Sequence, residues 1–300
     1  MRVVSLLASG TEIVCALGMG EALVGRSHEC DSPSWVKGLP SCSAPTFDVT
    51  MSSAEIDREV SRRMRACEPL YLIDNELILA LKADLLIAQE HCEVCAITPG
   101  NVRESGSAIP AEQVMALTSG SMTGIYEGIV QVARALGVEE RGHELVRVEK
   151  ARLAAVAERC AGKRAPTVVM VEWTAPIYAM ANWGPELVDA ANGRLLIGNR
   201  GQHSAAIGWE AVQTADPEVL VVAPCGYDLK RTLAERAVLE ALPGWGEMRA
   251  VRAGRVAYAD GNLYFNRSGM TVTRTAEILA EMLHGEMFGE RSEGDAWCWA

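Results

Sequence analysis

The strongest constraint on the fold of this chain is the regular alternation of short apolar runs with helical patterns along its whole length. The runs with the length and composition of buried strands are 2–7, 23–27, 84–89, 167–173, 218–223 and 255–259. Alternation of this kind is typical of β–α units arranged around a mostly parallel sheet. Because a chain of 300 residues exceeds the size at which one hydrophobic core keeps growing, we predict an α/β protein with two lobes.

A continuous helical pattern lies between the two groups of predicted strands. It covers residues 142–160, with no proline or glycine between Leu145 and Cys160, and at ~1.5 Å per residue it would extend about 28 Å. We predict that it connects an N-terminal α/β lobe, 1–141, to a C-terminal lobe, 161–286; the alternative is an ordinary packing helix. Residues 287–300 contain four charged residues, two glycines and two tryptophans, and we expect them to form a frayed tail.

Charge and hydropathy exclude two classes of partner. The net charge of −11 repels phosphate backbones and anionic lipids, so nucleic acid is not an expected partner. No apolar run approaches the ~20 residues that span a bilayer, so membrane insertion is not expected. Thr11 and Glu12 interrupt the N-terminal apolar run, and no signal peptide is visible. We therefore expect a cytoplasmic protein, or a periplasmic one if a leader has been removed; the odd number of cysteines, nine, agrees with a reducing compartment.

Cysteine and histidine side chains follow several predicted strands, where ligands bind in open α/β sheets. These residues are His28 and Cys30 after the second run, with Glu29 between them, His91, Cys92 and Cys95 after the third, and Cys225 after the fifth. If the four cysteines converge, they are suited to zinc or an iron–sulfur cluster, with His91 as a further ligand. A Cys-x-x-Cys pair is also typical of redox pairs or of no site at all, so a structural role for these thiols stays open.

Aromatic side chains form a second candidate set. Its members are Trp173, Trp183, Tyr264 and Phe265, with Arg267 close by in the sequence. Such rings provide a large contact area for a flat or macrocyclic ligand at little cost in conformational entropy. His28 and His91 are candidate ligands for the metal of a macrocycle, or residues that hydrogen-bond the backbone. For each aromatic ring, packing in the core is the alternative.

The sequence carries none of the common catalytic motifs. No Gly-x-Gly-x-x-Gly follows a predicted strand, and neither a P-loop nor a Gly-x-Ser-x-Gly elbow occurs. No nucleophile and base can be paired from their spacing. We therefore predict a binding protein and not an enzyme, unless the cysteines hold a redox metal.

Several segments resemble the helical-backbone class (class III) of ABC-type substrate-binding proteins, in particular the branch that binds vitamin B12 and iron siderophores. The similar segments are 2–12, 25–31, 81–87, 216–226 and 264–267. The resemblance implies two Rossmann-like lobes joined by a single long α-helix, with a corrinoid or chelated iron in the cleft between the lobes. It also implies that an acidic residue on each lobe docks onto the membrane permease. A weak internal repeat, 76–88 and 210–223, gives Glu76 and Glu210 this position.

The leading hypothesis is therefore the substrate-binding component of a cobalamin or iron-chelate ABC importer. The expected ligand-binding residues are Trp173, Trp183, Tyr264, Phe265, Arg267, His28 and Glu29. The alternative hypothesis is a cytosolic metalloprotein in which Cys30, Cys92, Cys95, Cys225 and His91 bind a zinc ion or an iron–sulfur cluster.

Overall fold

The computed structural model describes residues 1–90, 94, 96–106, 109–285 and 292–300. The chain divides into two compact units, Met1–Arg147 and Val148–Ala300. The boundary lies inside a helix, Glu139–Cys160, that begins three residues before the helix predicted at 142–160. Within the described ranges, no helix is both long enough and apolar enough to cross a membrane.

Unit 1, residues 1–147, is built around a parallel sheet. Its strands follow the order β2-β1-β5-β6, and a separate antiparallel ribbon consists of β3 and β4. The helices and strands are β1 Val3–Ser5, α1 Ala8–Ala16, β2 Leu23–Arg26, β3 Ser43–Pro45, α2 Ser53–Ala66, β4 Tyr71–Ile73, α3 Asn75–Ala80, β5 Leu85–Gln89, α4 Pro99–Glu104, β6 Val114–Leu117, α5 Met122–Ala135 and α6 Glu139–Cys160. The strand order reverses between β1 and β5, which is the position where open α/β sheets bind ligands.

Unit 2, residues 148–300, is built around a mixed sheet. Its strand order is β10-β8-β7-β11-β12-β13, with β9 paired to β7. The helices and strands after α6 are β7 Thr167–Thr174, β8 Ile177–Ala179, α7 Gly184–Ala190, β9 Arg194–Leu195, β10 Ala205–Ile207, α8 Trp209–Ala215, β11 Val219–Val222, α9 Leu229–Ala234, α10 Arg236–Glu240, α11 Arg249–Arg252, β12 Val256–Ala259, α12 Val272–His284 and β13 Trp297–Trp299. The three central strands β7, β11 and β12 are parallel.

The central strands of each unit supply its hydrophobic core. In unit 1, Val4 and Leu86 are fully buried and lie opposite each other in the register of β1 and β5. In unit 2, Leu220 of β11 is fully buried between Val169 of β7 and Val256 of β12. Each large apolar side chain buried in this way contributes about 1.5–3 kcal/mol. This burial explains why these strands read as near-continuous apolar runs in the sequence.

Residues 292–300 are not a frayed tail, which corrects the expectation for this part of 287–300; residues 287–291 lie outside the described residues. Strand β13 pairs antiparallel with β12 and forms one edge of the unit 2 sheet. The Glu281 carboxylate of α12 fixes this segment, because it accepts hydrogen bonds from the backbone N–H and hydroxyl of Ser292 and from the Trp297 indole. Arg274 lies 3.2 Å from the other oxygen of the same carboxylate. Trp297, which composition alone assigned to a tail, is buried.

Replacing Glu281 by alanine should destabilise unit 2 by about 2–4 kcal/mol, because buried hydrogen-bond donors would lose their acceptor and Arg274 would lose one of its two carboxylate partners, keeping Glu277. Urea unfolding followed by tryptophan fluorescence measures this loss. Glu240→Ala is the matched control, since it removes an exposed carboxylate paired with Arg236, and such pairs contribute little. Equal stability of the Glu281→Ala and Glu240→Ala proteins would show that the carboxylate does not anchor β13.

Candidate functional site

His28 follows β2 at the carboxyl edge of the unit 1 sheet, in the loop where a ligand-binding residue was predicted. Its Nδ1 lies 2.9 Å from the Ser43 hydroxyl, and its backbone N–H donates to the same oxygen at 3.2 Å. Burial, with a smaller contribution from the charge on Arg26, lowers the pKa of His28 to about 4. The imidazole is therefore neutral at physiological pH.

The β3–β4 ribbon holds the His28 ring from two directions. Ser43 opens β3, and Tyr71 opens β4, where it is paired with Pro45. The Tyr71 ring lies 5.4 Å from the His28 ring, centroid to centroid, at an interplanar angle of 37°. Sequence reasoning missed both residues, since three-residue strands leave no measurable periodicity.

The shifted pKa of His28 has a consequence for stability. The pKa is lower in the folded protein than the 6.5 of an unperturbed histidine, so the unfolded chain binds more protons in this range. The free energy of unfolding should therefore fall as the pH drops from 6.5 towards 4, by about 3 kcal/mol in total for this group, and the loss should level off below pH 4. Urea unfolding of wild type and His28→Asn across this range gives the difference curve, and parallel pH profiles would contradict the assignment.

Glu29 lies beside the imidazole. Its Oε1 is 4.0 Å from Nε2 of His28, and its side chain is 39% exposed against 21% for His28. The distance exceeds that of a hydrogen bond, so the two side chains lie next to each other without a direct hydrogen bond between these two atoms.

Cys30 lies in the interior of unit 1 and not on its surface. It is 1% exposed, it accepts a hydrogen bond from the Thr11 hydroxyl at 3.0 Å, and its Sγ is 3.2 Å from the Ser27 hydroxyl. Its thiol donates to the Ser5 carbonyl at 3.6 Å. Burial raises the pKa of the Cys30 thiol, whereas a zinc ligand must be a thiolate. The geometry favours a structural role over the predicted metal role.

Three of the remaining metal candidates, His91, Cys92 and Cys95, lie outside the described residues. Cys225 is half-buried on the loop after β11, and its backbone N–H donates to the Glu172 carbonyl at 2.9 Å. Among the residues that the structure describes, no group of three or more histidine, cysteine or acidic side chains is arranged to hold a metal ion.

An aromatic platform lies at the carboxyl edge of the unit 2 sheet. Trp173 near the end of β7 is partly exposed, and its ring lies 5.2 Å from that of the buried Tyr227, which follows β11, at an interplanar angle of 54°. The Arg231 guanidinium lies 4.7 Å from the centre of the Tyr227 ring, a distance typical of a cation–π contact. Burial raises the pKa of Tyr227, so this ring stays neutral. Trp173 was predicted from the sequence, whereas Tyr227 and Arg231 were not.

The loop after β12 contacts Tyr227 and holds it in position. Residues Gly261–Phe265 form one turn of π-helix, a feature often found at functional sites. The Asn262 N–H donates to the Tyr227 carbonyl at 3.0 Å, and buried Arg267 donates to both the carbonyl and the side-chain oxygen of Asn262. Arg267 therefore stabilises the conformation of Asn262, which in turn hydrogen-bonds to Tyr227.

Two predicted ligand-binding aromatics belong to the core. Phe265 is 0% exposed and Trp183, which precedes α7, is buried as well. Neither ring presents a surface to a ligand in this structure, so packing accounts for both. Tyr264 is half-buried, and its carbonyl accepts a hydrogen bond from the Thr275 hydroxyl.

The two glutamates of the internal repeat occupy equivalent positions in the two units. Glu76 lies in the first turn of α3 and Glu210 in the first turn of α8, and both are exposed. Each helix is followed by a residue with positive φ, Lys82 in unit 1 and Asp216 in unit 2. The sequence repeat therefore corresponds to a repeated local structure. The residue with positive φ is an aspartate in unit 2 but a lysine in unit 1.

Comparison with known proteins agrees with this architecture. Residues 3–263 match the model of the family described as periplasmic binding protein. An uncharacterized ABC transporter substrate-binding lipoprotein of Bacillus subtilis strain 168, YvrC, is 24% identical over 296 residues, covering 96% of this chain and 82% of its own.

Two solved structures share the fold. A periplasmic heme-binding protein from Pseudomonas aeruginosa superimposes with a TM-score of 0.73 at 22% identity, covering 99% of this chain and 97% of its own. The periplasmic vitamin B12-binding protein BtuF of Vibrio cholerae has a TM-score of 0.65 at 19% identity, covering 94% and 96%. Because the family model spans most of the sequence, this chain belongs to the periplasmic binding protein family.

Proposed function

We propose that this chain is the substrate-binding component of an ABC importer. We further propose that its ligand is a metal macrocycle, with a corrinoid as the first candidate. The observation that carries the proposal is the partly exposed ring of Trp173 at the end of β7, which packs against the buried Tyr227. An indole held in place in this way offers an apolar contact for a macrocycle at low entropic cost.

The relatives support this class of ligand. The Vibrio cholerae neighbour is a vitamin B12-binding protein and the Pseudomonas aeruginosa neighbour is a heme-binding protein. Both ligands contain a metal ion held by a macrocycle of four nitrogen-containing rings. Heme is therefore the second candidate, while the four-thiolate alternative loses support from the buried, hydrogen-bonded Cys30.

The family also suggests where the protein acts and with what partner. The Bacillus subtilis relative is an ABC transporter substrate-binding lipoprotein, which supports action outside the cytoplasm instead of the cytoplasmic location expected from the N-terminal residues. We propose that exposed Glu76 and Glu210 contact an ABC permease, one from each unit. Their equivalent positions at the first turns of α3 and α8 support this assignment.

Absorbance after gel filtration tests the proposed ligand class. Protein incubated with hydroxocobalamin, dicyanocobinamide or hemin is separated from free ligand, and the visible spectrum of the protein peak is recorded. We expect at least one corrinoid to elute with the protein. Colourless protein after all three incubations would refute the proposal.

A further inference from the structure

We infer that Glu235 is a positioning residue for Trp173, because it holds the end of β7 and with it the indole that contacts the ligand. The inference rests on the proposed function and deepens it. The side chain of Glu235 accepts a hydrogen bond from the hydroxyl of Thr174, the residue that follows Trp173. All of these contacts lie within unit 2.

Trp173 occupies an irregular position on β7. In the register with β8, Val171 pairs with Ala179 and Trp173 pairs with Tyr178. β7 therefore advances two residues where β8 advances one. In a regular strand Trp173 would point to the same face as Val171, which is buried in the core of unit 2. An extra residue of this kind redirects side chains, so the pleat of the strand does not by itself fix the direction of the indole.

The residues on either side of Trp173 are held by hydrogen bonds. The carbonyl of Glu172 accepts from the backbone N–H of Cys225 at 2.9 Å. The hydroxyl of Thr174 donates to the side-chain oxygen of Glu235, and both of these side chains are buried. Because water does not reach this bond, a variant that lacks one partner cannot replace it with a solvent hydrogen bond.

Glu235 also connects Trp173 to the ring that lies against it. Glu235 is the residue at which α9 ends and α10 begins. α9 starts two residues after Tyr227, whose ring packs against Trp173, and Arg231 of α9 lies over the face of the Tyr227 ring. The contacts form a closed path, which runs from the indole to Tyr227, along α9 to Glu235, and back through Thr174. A change at Glu235 therefore reaches the indole from both sides.

This arrangement should increase affinity by limiting the motion of the indole before the ligand binds. A side chain that changes rotamer freely loses conformational entropy when a ligand orders it. Because the bond between Thr174 and Glu235 fixes Trp173 in advance, that cost is reduced. Loss of the bond should therefore weaken ligand binding, although both partners of the bond are buried.

Titration of dicyanocobinamide into Thr174→Val tests this consequence. Valine keeps the shape of threonine but cannot donate the hydrogen bond, and we expect Kd to rise roughly five- to tenfold. Thr174→Ser keeps a hydroxyl and should restore the wild-type Kd. Glu235→Leu should match Thr174→Val, and the double variant should bind no more weakly than either single variant, because the two side chains act through one bond. The double variant removes both partners together, so it keeps the test available if a single variant does not fold.

Thr273→Val is the matched control for the loss of a buried hydroxyl. Thr273 of α12 is fully buried, and among the residues that the structure describes its hydroxyl has no hydrogen-bond partner. The same substitution therefore removes no such bond and should keep the wild-type Kd. An equal rise of Kd in Thr273→Val and Thr174→Val would show that general loosening of unit 2, and not the bond to Glu235, causes the effect.

The orientation of Trp173 has a separate readout in the ligand-free protein. In protein labelled with 5-fluorotryptophan, the ¹⁹F resonance of Trp173 is identified by its absence from Trp173→Phe. We expect this resonance to move or broaden in Thr174→Val and to stay in place in Thr174→Ser and Thr273→Val. An unmoved resonance, or a wild-type Kd, in Thr174→Val would overturn the inference. If wild type binds neither a corrinoid nor hemin, the proposed function fails instead, and the ¹⁹F spectra still decide whether Glu235 positions Trp173.

Discussion

Replacing Gly261 by alanine should destabilise unit 2 by about 3–5 kcal/mol, near the upper end of what single substitutions do. A Cβ at this position would lie 2.1 Å from the Pro224 carbonyl oxygen and 2.7 Å from both the carbonyl carbon and oxygen of Ala223. All three are backbone atoms, so no side chain can rotate away. The loops after β11 and β12 would have to separate, which would also disturb the Asn262–Tyr227 hydrogen bond.

Urea unfolding measures this effect, and Gly246→Ala is its matched control. A Cβ at Gly246 meets no atom within 4 Å, so this substitution should change the free energy of unfolding by less than about 1 kcal/mol. If Gly261→Ala unfolds at the same urea concentration as Gly246→Ala, the close approach of the two loops is not required for the fold.

The second large effect is expected for ligand binding. Trp173→Ala should weaken corrinoid binding by about 1–3 kcal/mol, roughly 5- to 150-fold in Kd, the usual range for loss of a central aromatic anchor. Trp173 lies on the partly exposed side of the platform, so its removal takes away contact area without opening the core. Circular dichroism should show an unchanged fold.

Trp35 provides the control for this prediction. It is 51% exposed and lies on a short helical turn, 34–38, with its ring beside Gly20, which precedes the amino end of β2. Trp35→Ala should retain the wild-type Kd. Full affinity in Trp173→Ala, or an equal loss in both variants, would remove the platform from the binding site.

The apolar runs were sufficient to predict the main strands. Each of the six predicted runs overlaps an observed strand, for example 167–173 with β7 at Thr167–Thr174 and 218–223 with β11 at Val219–Val222. Most of these strands, such as β1, β5, β11 and β12, are buried on both faces, and such burial selects the continuous Val- and Leu-rich segments that sequence patterns detect. The short antiparallel strands, β8 and β10 among them, were missed because three residues carry no period.

The candidate site was harder to predict, since it depends on contacts between distant segments. Cys30 follows a strand as a ligand-binding residue would, but Thr11 and Ser27 turn its thiol into the interior. The partner of His28 is Ser43, fifteen residues away, on a strand too short to recognise. The burial of Trp297 was also missed for this reason. Its indole donates to the carboxylate of Glu281, which lies sixteen residues earlier in the chain, and the sequence around Trp297 does not indicate this contact.

The most direct test of the proposed function is calorimetric titration of the wild-type protein with dicyanocobinamide. We predict a single binding site with a Kd on the order of micromolar or tighter, which corresponds to about −8 kcal/mol or more. Apolar contact of a macrocycle with the platform should also give a negative heat-capacity change between titrations at two temperatures. Flat titrations with dicyanocobinamide, cobalamin and hemin would contradict the assignment of a metal macrocycle as the ligand.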